Sequence, residues 1–162
     1  MRKFVVVVAM IAVGLLGAAS AAGAQPPAKS FVAVLNAAEE VPLCPTATNA
    51  SRGVATFHVR DEATGTVDYK VVSNNLPGSV LAAHIHEQVT GVAGPIVQGL
   101  DVVLGAGNGV IGRGTFVNPG LVDDIRADPA GFYVNVHTQP AGVGCPSGVI
   151  RGQLDDHGPA NN

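Results

Sequence analysis

Positive charge is scarce in this chain, and so are the motifs that most enzymes rely on. Of 162 residues only nine are Lys or Arg, against twelve Asp or Glu, giving a formal charge of −3. Cations this few and this scattered leave no footprint for nucleic acid, whose phosphates dominate such contacts. There is no C-x-x-C redox pair, no G-x-S-x-G turn to present a nucleophilic serine, and no glycine-rich loop with a following Lys to cradle phosphate. No internal repeat or low-complexity stretch occurs. Disorder is excluded by the opposite imbalance, since 47% of residues are apolar and only 13% are charged.

Long hydrophobic runs are also missing, apart from one at the start. Arg2 and Lys3 precede an apolar run from Phe4 to Leu16, and Ala22-Gly23-Ala24 then supplies a small-x-small cleavage pattern before Gln25. Residues 1–24 therefore read as a secretory signal peptide. The run is shorter than the ~20 residues of a spanning helix, so a cleaved chain keeps no membrane span, whereas an uncleaved leader would act as an anchor. Cleavage also removes two cations and leaves the chain more acidic. The expected location is secreted, periplasmic or cell-surface, with a protein or matrix partner there. Residues 25–30 read as a flexible lead and 155–162 as a polar tail. The stretch between them, 31–154, suits one domain with a real core.

Two cysteines, Cys44 and Cys145, lie in the mature part. An even pair in an oxidising compartment is most simply a disulfide, the alternative being two buried thiols. The closed loop of about a hundred residues would stabilise by roughly 4.7 kcal/mol on loop-closure entropy. Each Cys precedes a Pro, which places both in loops or at strand edges.

Twenty-one glycines and eleven prolines punctuate short alternating stretches rich in β-branched residues. This pattern predicts a turn-rich all-β domain with eight strands near Ser30–Leu35, Gly53–Arg60, Thr66–Ser73, Val80–Glu87, Ile96–Leu104, Val110–Val117, Phe132–His137 and Val149–Leu154. Asp61 to Gly65 predicts a hairpin turn. One helix is predicted, with Asn118 as its cap, Pro119 at its first position, Leu121, Val122 and Ile125 on its apolar face, and Asp128-Pro129 as its stop.

Among five histidines, His84 and His86 flank Ile85 on one predicted strand. Side chains alternate with period two, so both imidazoles share a face while Ile85 points to the core. His137 ends another strand, in which Val134 and Val136 take the core face and Tyr133, Asn135 and His137 the other. The three imidazoles could converge on one metal ion if the two strands lie side by side. His58 reads as exposed on a polar face, and His157 lies in the tail. The neighbouring pairs Glu39-Glu40, Asp123-Asp124 and Asp155-Asp156 read as solvated surface.

Several blocks resemble a known family. Glu39-Glu40-Val41-Pro42, Ala83-His84-Ile85-His86, Gly94-Pro95-Ile96-Val97, Tyr133-Val134-Asn135-Val136-His137-Thr138 and Ile150-Arg151-Gly152-Gln153-Leu154 are similar to the CHRD (chordin-type) domain over residues 31–154. Val149 departs from it, where the family commonly has Glu. Leu76-Pro77-Gly78 through His84-Ile85-His86-Glu87, and Cys145 with Gly148-Val149-Ile150, bear a more distant likeness to copper/zinc superoxide dismutases. That likeness implies a Greek-key, immunoglobulin-like or superoxide-dismutase-like β-sandwich. It also implies His84 and His86 as a copper-binding pair, His137 as the late third ligand, and a disulfide at the final cysteine. No His lies between His86 and His137, so the bridging histidine and zinc loop have no counterpart. No Arg closely precedes Cys145 as a guide for superoxide; Arg151 is the nearest cation by sequence.

Three functions compete on these grounds. The first is an exported, non-enzymatic binding module, as the CHRD likeness implies. The second is a metal-binding module, with copper at His84, His86 and His137, because imidazole suits copper and affinity along the first row peaks at Cu(II). The third is a copper-only dismutase-like enzyme, which requires the second and turnover besides. Fold alone does not choose among them.

Overall fold

Alternation of buried and exposed side chains builds the strands. In β2 (Arg52–Asp61), Ala55, Phe57 and Val59 are buried while Val54, Thr56, His58 and Arg60 face outward. The structure is a computed structural model and describes residues 29–140 and 143–156. The other strands are β1 (Ser30–Asn36), β3 (Thr66–Asn74), β4 (Ser79–Glu87), β5 (Ile96–Leu100), β6 (Gly109–Val117), β7 (Phe132–Gln139) and β8 (Ile150–Asp156). All eight expected strands are present, seven of them close to their expected bounds and β5 shorter. The leader, residues 25–28 of the lead, and the tail from His157 onward lie outside the described residues. Among the described residues no helix is long and apolar enough to cross a membrane.

Local chemistry explains the turns and the helix. Asp61 Oδ1 accepts from the main-chain N–H of Ala63 at 2.9 Å and of Thr64 at 3.4 Å, and Gly65 takes φ +64° to finish the β2–β3 hairpin. Helix α1 (Pro119–Ala127) begins where Asn118 Oδ1 accepts from Leu121 N–H at 3.2 Å, and it buries Leu121, Val122 and Ile125. Short 3₁₀ turns at Ala37–Glu39 and Pro129–Gly131 were not expected from the sequence.

The strands form one antiparallel sheet in the order β5-β4-β7-β8-β1-β2-β3-β6. It rolls up so that the β5 end meets β6, where Val102 bridges Gly112 and Val103 N–H donates to Ile111 C=O at 2.8 Å. With that seam closed, β4, β5 and β6 run side by side and β7 returns past α1 to lie beside β4. This is a Greek key. The core between the two halves joins Ile85, Val134 and Val136 with Leu35, Val71 and Ile111, all fully buried. Each such side chain contributes ~1.5–3 kcal/mol on burial.

β5 ends at Leu100, not at Leu104 as its apolar run suggests. The Tyr69 hydroxyl intervenes, accepting from Asp101 N–H at 2.6 Å and donating to Asp101 C=O at 3.2 Å. Those main-chain groups are thereby lost to the ladder with β4, and the chain crosses to β6. The second difference concerns faces. Residues 132–138 of β7 are buried on both sides, so Tyr133, Asn135 and His137 lie on a face that is covered as well. The cover is the loop 88–95, the segment around Glu40, and the loop 144–148.

Candidate metal centre

The β4–β7 ladder places the three histidines. His84 faces Asn135, His86 faces Tyr133, and Ala82 faces His137, so His137 is the diagonal neighbour of His84. Their ring centroids lie 4.9 Å apart for His84 and His137, 5.7 Å for His84 and His86, and 6.2 Å for His86 and His137. One ligand atom from each falls within 4.8 Å of the others. Two nitrogens on one ion stand at most about 4 Å apart, given metal–nitrogen bonds of about 2.0 Å. The cluster therefore needs only a small contraction.

Hydrogen bonds decide which nitrogens face inward. His86 Nδ1 donates to Gly94 C=O at 2.9 Å, and His137 Nδ1 donates to Pro146 C=O at 2.9 Å. Both rings are thereby left with bare Nε2 atoms. His86 Nε2 is buried without a partner among the described residues, while His137 Nε2 sits 3.1 Å from His84 Nδ1. A metal-ligating imidazole characteristically donates its other N–H to a carbonyl in this way, which fixes its tautomer and aim.

The electrostatics keep the rings neutral. Burial, then the neighbouring His137 and His86, lowers the pKa of His84 from 6.5 to about 4. Burial also lowers His86, opposed by its bond to Gly94 and assisted by Arg151. His137 is lowered by burial, opposed by Pro146 and assisted by His86. Neutral imidazoles are what a metal requires. On the far side of His84, its partner Gly99 in β5 offers no side chain, and a Cβ placed there would meet nothing within 4 Å. This side of the cluster is open.

The segment Ile150-Arg151-Gly152-Gln153-Leu154 fastens the cover. Arg151, 1% exposed, donates to Val92 C=O at 2.8 Å, to Val89 C=O at 2.9 Å and to Gln153 Oε1 at 3.1 Å. Gln153 Nε2 donates to Gln88 C=O at 2.9 Å and to Ala130 C=O at 2.7 Å. The loop held in this way carries Gly94 to His86. The Arg151 guanidinium lies 3.4 Å above the Tyr133 ring, which stacks on His86 at 4.8 Å and 9°. Tyr133 also accepts Gly94 N–H at 3.0 Å through its hydroxyl.

Cys44 and Cys145 form the disulfide, across a sequence separation of 101. It joins the segment after Glu40 to the loop that supplies Pro146 C=O. Contrary to the surface reading of Glu39-Glu40, Glu40 is 2% exposed and accepts from Asn135 Nδ2 at 3.0 Å. Asp123, Asp124 and Asp155 are exposed as expected. His58 is exposed too, bonded to Ser30 Oγ at 3.2 Å and far from the cluster on β2. The sequence reading missed Glu40, Tyr133, Asn135 and Gln153 as parts of the site. Tyr133 and Asn135 carried a signal in sharing the outward face of His137, whereas Glu40 and Gln153 carried none beyond standing in the blocks that resemble the family.

No match is found among curated proteins or among solved structures. A family model does match, that of the CHRD domain, over residues 31–154. With most of its length covered and every block quoted above inside that span, the chain belongs to the CHRD domain family.

Proposed function

We propose that this CHRD domain is an exported binding module that holds one copper ion at His84, His86 and His137 and does not turn over a substrate. The observation that carries the metal reading is the trio of converging ring nitrogens, two of them aimed by carbonyl bonds from their own rings. Three neutral imidazoles with an open side suit copper, for which affinity is highest among the divalent first-row ions. The disulfide is consistent with an oxidising compartment. Arg151 argues against the dismutase alternative. A guide for superoxide needs an accessible charge, and this one is buried, bonded to two carbonyls and stacked on Tyr133.

The test is a Cu(II) titration of the metal-stripped protein with its disulfide intact, beside a His84→Ala/His86→Ala/His137→Ala variant. The expected result is one tight equivalent in the parent and none in the variant. Equal, weak uptake by both would overturn the metal site and leave a binding module alone. Superoxide turnover by the loaded parent would replace the module by the enzyme.

A further inference from the structure

The two outer faces of the rolled sheet differ. The one bearing the histidines is covered by loops, whereas the outward face of β1, β2, β3 and β6 is bare. Across it the register aligns Val34 with Val54, Val54 with Val72, and Val72 with Val110. Val34 is 66% exposed, Val54 40% and Val110 42%. A continuous row of four outward valines is an apolar patch, unlike singly scattered exposed side chains.

Cations border this row on both long sides. Arg52 stands one outward position away on β2, flanked in register by Asn36 and Asn74. On the other side Lys70 of β3 directly faces Arg113 of β6. All three cations are exposed, and they are a third of the chain's nine Lys and Arg. Among the described residues none of the three forms a salt bridge, whereas Arg60, farther along β2, pairs with Asp68 at 3.5 Å. Like charges directly opposed across a ladder are destabilising, and an anion between Lys70 and Arg113 would relieve that.

The shape narrows the occupant. Outward positions on a strand are ~7 Å apart and four strands span ~14 Å, so the row is a short stripe walled by longer side chains. A groove of about 430 Å³ lies between three of these valines and the Arg52 border, lined by Val34, Val54, Val72, Arg52, Asn36 and Asn74, while Val110, Lys70 and Arg113 stand outside it. A planar bilayer does not drop between such walls, and a fatty acid carries charge at one end only. A second copy of this face would set the three cations near one another, with Asp68 of β3 and Glu39, which accepts from Asn36 at 2.8 Å, as the nearby carboxylates to offset them; spectra unchanged on dilution of the free protein will exclude that occupant. A helix, ~10–12 Å across with an apolar stripe between charged flanks, matches in width and pattern. We propose that this face docks an acidic amphipathic helix of a partner protein, with its apolar stripe on the valine row and its carboxylates between Arg52 and the Lys70–Arg113 pair. The inference goes beyond the metal reading and does not depend on it.

The test titrates isotope-labelled, metal-free protein with a synthetic helix-forming peptide of about four turns, Leu at i, i+3, i+4 and i+7 and Glu on both flanks. Controls are the same residues scrambled, the peptide with Lys for Glu, a medium-chain fatty acid, and vesicles containing phosphatidylglycerol. The expected result is amide shifts confined to β1, β2, β3 and β6, with a gain of peptide helicity, for the first peptide alone. Lys70→Glu should weaken that binding at least tenfold, and Val54→Thr several-fold. Lys70→Glu exchanges a repulsion with Arg113 for an attraction, so a thermal midpoint that does not fall will separate lost binding from lost fold. Equal binding by the scrambled peptide, shifts centred elsewhere, or indifference to Lys70→Glu would overturn the proposal. So would fatty acid or vesicles perturbing this face when the peptide does not.

Discussion

Glu40 is a buried carboxyl with one oxygen bonded to Asn135 and the other, Oε1, without a partner among the described residues. Burial pushes its pKa up from 4.5 to about 7, against the lowering effects of Asn135 and then Arg151. A raised folded-state pKa means that the contribution of Glu40 to stability is fully present below about 4.5 and is lost as pH rises through about 7. Glu40→Gln removes that loss. Urea unfolding from pH 4.5 to 8 is expected to show the variant gaining on the parent as pH rises, by at most roughly 3 kcal/mol at the alkaline end. The three site histidines act in the opposite sense. Their folded pKa values are lowered, so their contribution is present above about 6.5 and lost on acidification. They are unchanged in the variant, so the difference between the two curves isolates Glu40. A constant difference across the range would show that Glu40 is solvated.

Tyr133→Phe addresses the other support of the site at the same scale. The change keeps the ring between Arg151 and His86 but deletes the acceptor for Gly94 N–H, and Gly94 C=O is what holds His86. A loss of ~1 kcal/mol in stability is expected from one hydrogen bond. Copper affinity should fall about tenfold through the loosened imidazole. Calorimetric titration of both proteins measures it, and equal affinities would mean that Gly94 is positioned by its loop alone.

At the scale of elements, the disulfide ties the loop after β7 to the segment after Glu40, and two hydrogen bonds tie that loop to β7 itself. Thr138 N–H donates to Cys145 C=O at 3.1 Å, and Cys145 N–H donates to Thr138 Oγ1 at 2.9 Å. The next carbonyl, that of Pro146, holds His137. Loss of the bridge should therefore be felt twice. Cys44→Ala/Cys145→Ala is expected to lower unfolding free energy by roughly 2–5 kcal/mol and to weaken copper uptake while leaving the strand content of the circular dichroism spectrum intact. Intact uptake in a destabilised variant would show that the two hydrogen bonds to Thr138 hold the loop without the disulfide. The pairing was legible because two cysteines permit only one intramolecular bridge. That the bridge supports His137 was not, since nothing local to Cys145 reveals which carbonyl a distant ring will meet.

For the whole molecule, period-two patterning carried most of what could be read ahead of the structure. Phe57 and Val59 buried with His58 outward between them repeats on strand after strand, and it needs no knowledge of partners. Strand order does need it, because β3 lies beside β6 and β4 beside β7 through contacts far apart in sequence. The same limit hid the buried state of Glu40. Its burial depends on a sheet face that loops from three parts of the chain cover. The convergence of His84, His86 and His137 likewise follows from a single ladder, β4 on β7, that local spacing does not encode.

The two halves of the sheet are joined on one side by the β8–β1 ladder, and Gly152 sits at that join. A Cβ on Gly152 would lie 2.1 Å from Val34 C=O and 3.2 Å from Leu35 Cδ2, so the strands approach closely because no side chain intervenes. Gly152→Ala must push main chain away from main chain, which a close-packed interior does not absorb cheaply. The expected cost is about 2–4 kcal/mol, within the range of severe packing changes. Because one core spans both halves, the loss should be shared. Hydrogen exchange should show β2 and β3 losing as much protection as β4 and β7, the behaviour of one cooperative unit. Loss confined to β1 and β8 would instead show that the halves are held independently. The histidine face and the valine face would then answer to different parts of the fold.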